Sequence, residues 1–170
     1  MNTVLSARNA SLAVILVGLV SVAGSALAQE AHEHQHGQAT AAVAQLQLDA
    51  DHKWATDASL RSGMAAIRSA FDADHPAIHA GKETDAQYAA LADRIQSQVN
   101  SIAANCHLPE EADANLHYVI ADLSQGAVLM LGQDPARTRH DGAALVHGAL
   151  IAYGTYFDDP DWVAEPEMKH

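Results

Sequence analysis

The 170 residues carry 21 Asp and Glu against nine Lys and Arg, a formal charge of −12 at neutral pH. That surplus repels phosphate backbones and disfavours a nucleic-acid partner. The single Cys leaves no intrachain disulfide and no all-Cys zinc site, and the length suits one domain with a core. Histidine is the anomaly, with 11 copies.

Residues 1–9 contain one charge, Arg8, residues 11–22 form an apolar run, and Ala26-Leu27-Ala28 precedes Gln29. This is the three-part layout of a secretory signal peptide. The run is short for a membrane span and is interrupted by Gly18, with Gly24 and two serines nearby. Cleavage after residue 28 is expected, with no membrane span thereafter and the bacterial periplasm as destination. Loss of Arg8 leaves eight basic residues against 21 acidic, near −13. Residues 29–40 are polar, His-rich and without apolar periodicity, the pattern of a disordered tail. Residues 41–54 form a transitional lead-in in which Leu46 and Leu48 have the character to dock on a core.

Thr56-Asp57 then caps a helical stripe of Leu60, Met64, Ile67, Phe71 and Ile78, closed by Gly81. Thr84-Asp85-Ala86-Gln87 reads as a capping box before Tyr88, Leu91, Ile95, Val99, Ile102 and Cys106. Pro109 suits the first turn of a third helix, whose stripe is Leu116, Val119, Ile120, Leu123, Ala127 and Met130, with Gly132 as its stop. Asp134-Pro135 restarts the chain before a fourth stripe of Ala143, His147, Leu150 and Gly154. Each helix runs to roughly 20 residues, about 30 Å. The joints are short, so neighbours should be antiparallel. The expected fold is all-α: an up-down-up-down four-helix bundle over 56–158, preceded by the signal peptide (1–28) and the tail and lead-in (29–55), and followed by a C-terminal tail (159–170).

Two groups of residues have the chemistry of metal ligands. His32-Glu33-His34-Gln35-His36 alternates imidazoles within five residues, and such tracts chelate Cu(II), Ni(II) or Zn(II) with little geometric demand. The alternative is a solvated polar tail. In the body, His75 and His79 lie four apart near the end of the first helix, Met130 ends the third and His140 begins the fourth. Antiparallel packing brings all four to one end, a His/Met set in which the thioether favours Cu(I). The competing reading makes His75 and His79 a solvated flank, favoured by the helix dipole, and Met130 a core residue. Met64, Cys106, His107 and His117 fall toward the opposite end. His147, on an apolar stripe, reads as a hydrogen-bonded core residue, and Cys106 as a small buried hydrophobe.

Haem is not expected. The covalent Cys-x-x-Cys-His motif is absent, and a Met64/His147 axial pair would be offset by about 6 Å along the bundle. No nucleophile elbow, phosphate loop, His-Glu-x-x-His or Glu-x-x-His occurs, and no Glu lies on the four stripes, so no catalytic constellation is visible.

Three blocks carry a family resemblance: Trp54-Ala55-Thr56-Asp57 with Leu60-Arg61-Ser62-Gly63-Met64 and Ile67-Arg68, Cys106-His107-Leu108-Pro109-Glu110-Glu111-Ala112-Asp113-Ala114 with Leu116-His117, and Tyr153-Gly154-Thr155-Tyr156-Phe157-Asp158. Together they resemble the DnrO-like family of small proteobacterial envelope proteins, with a His-rich start and a helical body, over nearly the whole chain after residue 28. The resemblance implies a secreted helical bundle associated with heavy-metal or copper handling, and it brings no site residues. The expected function is a periplasmic, non-enzymatic copper-binding protein for buffering or resistance, with zinc or nickel as alternative ions. A different class of function is a metal-indifferent structural or sensory bundle that binds an envelope protein through Trp54, Trp162 and the acidic surface. A b-type haem electron carrier is less favoured.

Overall fold

The computed structural model describes residues 41–163. The signal-peptide segment and His32, His34 and His36 lie outside them. The described residues are mostly helical, with four α-helices and one very small parallel sheet. α1 is Ala58–His79, α2 Asp85–Asn105, α3 Glu110–Met130 and α4 Arg139–Tyr156. Each packs on its sequence neighbour, and α4 returns, more sparsely, to α1. Among the described residues no helix is long and apolar enough to cross a membrane.

Local chemistry accounts for the ends of the helices. Asp57 caps α1 by accepting the Leu60 N–H at 2.7 Å. Thr84 and Gln87 form the expected capping box on α2. Gly81 and Gly132 take left-handed φ values of 63° and 72°, which lets the chain leave α1 and α3 without a Cβ penalty. α4 starts next to His140, as expected. Its cap is a reciprocal box between Thr138 and Asp141, while Asp134-Pro135 lies in the preceding turn, where the Asp134 carboxylate accepts the Ala136 N–H. Pro109 sits one position ahead of the first helical residue of α3.

The core follows the stripes of the first three helices. Leu60, Met64, Ile67, Phe71, Leu91, Ile95, Val119, Leu123 and Met130 are all essentially inaccessible. Ile120 and Cys106 are only half-buried. On α4 the buried face is rotated from the expected one. It consists of Gly142, Ala143, Val146, Ala149, Leu150, Ala152 and Tyr153, while His147 and Gly154 are half-buried. Two glycines explain the rotation. A Cβ on Gly126 of α3 would stand 2.7 Å from the Gly142 carbonyl oxygen, and one on Gly142 would stand 2.6 Å from that of Gly126. The two backbones therefore touch, and only glycine at both positions permits it.

The lead-in is packed as well. Asp122 of α3, a buried carboxylate, accepts the N–H groups of Ala42 and Val43 at 2.8 and 3.0 Å, seating a 3-10 helix over Ala42–Gln45. Leu46 is buried, whereas Leu48 is exposed. Strand β1 (Trp54–Ala55) pairs in parallel with β2 (Phe157–Asp158), a feature absent from the sequence-based expectation. Beyond it, Trp162 packs edge-on against Tyr153 at 4.7 Å, lies against Gly154 and accepts the Arg68 guanidinium over its ring face at 4.8 Å.

Candidate metal centre

The last three turns of α1 put Phe71, His75 and His79 on one face, spaced four apart. Phe71 is buried and forms a floor. His75 stacks on it with ring centroids 5.4 Å apart, and His147 from α4 stacks on it at 5.5 Å. The two imidazoles stand 5.3 Å from each other, with planes inclined by 42°. His79 follows at 6.3 Å from His75. His75 and His147 are half-buried and His79 is exposed. The result is a three-imidazole cluster across the seam between the first and last helices, apolar beneath and open above. As these rings stand, no three His, Cys, Asp or Glu side chains among the described residues converge in a metal-holding group.

The other two body residues are placed differently. Met130 is fully buried, with its carbonyl receiving the Arg139 guanidinium, so its thioether serves the core. His140 is exposed at the start of α4 and borders a recess between the α1–α2 and α3–α4 turns, shared with Glu83, Asp85 and Asp134. It is seven residues before His147, hence on the same face of α4, about 10 Å away along the axis. Structure thus joins His75 and His79 to His147. The sequence suggests a hydrogen-bonded core role for His147, and the residue is half-buried and engaged. The spacings of four on α1 and seven on α4 were the available signal, but neither states which faces meet.

Two further groups show unusual electrostatics. Glu83 has both carboxylate oxygens buried without a hydrogen-bond partner. Desolvation, aided by the Asp74 carboxylate and opposed by Arg94, raises its pKa above the ordinary value. At the other end of α1, Asp57 is a hub. Besides capping α1 it accepts the His107 N–H at 2.7 Å and the Cys106 thiol. Desolvation pushes its pKa up, but these hydrogen bonds outweigh that and hold it below the usual carboxylate range. Burial, then the Asp57 and Asp113 carboxylates, push the Cys106 thiol up to about 11. A thiol so protonated is a structural donor and a poor metal ligand at neutral pH.

Nearby, His117 bonds through Nδ1 to the Asp113 carbonyl at 2.8 Å. Both tryptophans expected to offer a partner surface are engaged internally. The Trp54 indole donates to the Gln47 carbonyl at 2.7 Å, and Trp162 is held by Tyr153 and Arg68. No family model, curated protein or solved structure matches this chain.

Proposed function

We propose that this chain is a periplasmic, non-catalytic metal-binding protein for copper buffering or resistance. In this reading an up-down-up-down four-helix bundle presents a body site and carries the His32, His34 and His36 tract ahead of it. The observation that supports it best is the cluster of His75, His79 and His147 over Phe71. Imidazole is a ligand suited to copper, zinc and nickel, and these three side chains share one seam. The sequence resemblance and the signal-peptide pattern point the same way.

Titration of the purified protein with Cu(II) and with Cu(I), with and without residues 29–40, tests the reading. Binding well above that of a neutral control protein is expected for the whole chain, with a part retained after tail removal. Binding no tighter than the control refutes it. The metal-indifferent alternative then becomes the better account, and a pull-down insensitive to chelator would support it.

A further inference from the structure

We infer that residues 158–163 form a releasable strap across the α1–α4 seam, with Trp162 as its plug in an indole-accepting slot. The strap is independent of metal binding and adds a second, aromatic-binding feature to the bundle.

Three groups build the slot. Gly154 of α4 gives it a bare floor, where a Cβ would overlap Nε1 and Cδ1 of the Trp162 indole. Tyr153 is one wall and meets the indole edge-on at 4.7 Å. Arg68 of α1 lays its guanidinium over the ring face at 4.8 Å. A bare floor, an aromatic edge and a cation over the face are the parts that receive a flat, electron-rich ring. The chain fills this slot with its own side chain.

A turn aims the plug. The Asp159 carboxylate accepts the Tyr153 hydroxyl at 3.0 Å and the Asp161 N–H at 3.1 Å, and its carbonyl accepts the Trp162 N–H. The indole is thereby turned back onto α4, and Arg68 donates to the Val163 carbonyl. The end of α4 is tied in this way to the middle of α1, two helices whose direct contact is sparse.

The hold is light. Phe157, at the root of the strap, is in the core. Beyond it come one residue of a two-residue strand, a few hydrogen bonds and a single half-buried tryptophan, and Val163 is exposed. A terminal segment with so few buried contacts opens at a lower free energy than the helices and without unfolding them. Opening uncovers Tyr153, Gly154 and Arg68 together, and the vacated slot accepts an aromatic ring from another molecule.

The test uses the full chain with Trp54→Phe, which leaves Trp162 as the sole tryptophan. Adding Gly154→Ala should evict the ring. Its emission should shift to the red and chymotryptic cleavage after Trp162 should quicken about tenfold, while circular dichroism stays helical. Unchanged emission and cleavage overturn the plug. If Gly154→Ala loses its helical signal, Arg68→Gln decides. A red shift with the helices intact then supports the strap, and no shift or general unfolding overturns it. In parallel, Trp162→Ala empties the slot, and free indole near saturation should raise the thermal midpoint of that variant by roughly 3 °C. The wild type should not respond. Indole acting equally on both chains, or on neither, overturns the slot.

Discussion

The two seams that α4 makes are built on opposite principles. Against α3 the packing depends on what is missing, because Gly126 and Gly142 have no Cβ and their backbones meet. Against α1 the helices are held apart by Phe71, His75 and His147, whose rings fill the gap. A backbone contact has no soft side chain to yield, so it fixes the position of α4. A ring-filled seam is set by side-chain stacking rather than by backbone contact, so it yields more readily to substitution. α1 is also fastened by polar contacts at its beginning, through the Asp57 hub, rather than by close backbone approach. One side of α4 is thus fixed by backbone contact, and the other side is filled by stacked rings.

The contrast is broken most strongly at the glycines. Gly142→Val should cost about 3 kcal/mol or more in urea denaturation, because the new atoms meet the Gly126 carbonyl and the Leu129 Cβ within van der Waals distance. A smaller loss, about 2 kcal/mol, is expected for Asp57→Ala, which orphans the Leu60 and His107 N–H groups. The same change should speed alkylation of Cys106 at neutral pH, since it removes a carboxylate that holds the thiol protonated.

The pH dependence of the hub has a definite sign. The folded-state pKa of Asp57 is lowered, so its contribution is present above the unfolded value, near 3.8, and fades as pH falls through the folded value. The stability gap between wild type and Asp57→Asn should therefore narrow in denaturation series taken below about pH 4.

On the ring-filled side, His147→Phe should cost about 1 kcal/mol in urea denaturation, since a ring is kept on Phe71 while the imidazole's polar interaction is lost. A loss as large as that of Gly142→Val would erase the distinction between the seams. The smallest effect expected is a gain. Glu83 has a raised folded-state pKa, so its stabilising neutral form dominates below the unfolded value and is lost as pH rises through the folded one. Glu83→Gln should therefore raise stability at pH 7 by about 0.5 kcal/mol, with the gain disappearing near pH 4 in parallel thermal melts.

Much of the helical framework was legible before any coordinates. The Asp57 cap, the Thr84–Gln87 box, the stops at Gly81 and Gly132 and the stripes of α1, α2 and most of α3 all appear where the residues imply. The beginning of α4 near His140 is likewise where the residues imply, while its capping box, Thr138 with Asp141, is visible only in the structure. The buried face of α4, by contrast, was misjudged. Ala and Gly dominate that helix, and small residues mark no clear stripe until a neighbouring helix selects one. The pairing of β1 with β2 left no trace either, because two residues are too few to show a period.

The candidate site divides in the same way. That His75 and His79 share a face follows from their spacing alone, because four residues make about one turn. That His147 completes the cluster, in place of the Met130 thioether, depends on how each helix is rotated about its own axis. One residue turns that phase by about 100°. The caps and stripes arise from neighbours within a few positions along the chain, so the sequence by itself determined four helices, most of their ends and the buried faces of the first three. The rotational phase was decided only in the tertiary structure, where the contact between Gly126 and Gly142 seats α4 and leaves the His147 ring facing those of Phe71 and His75.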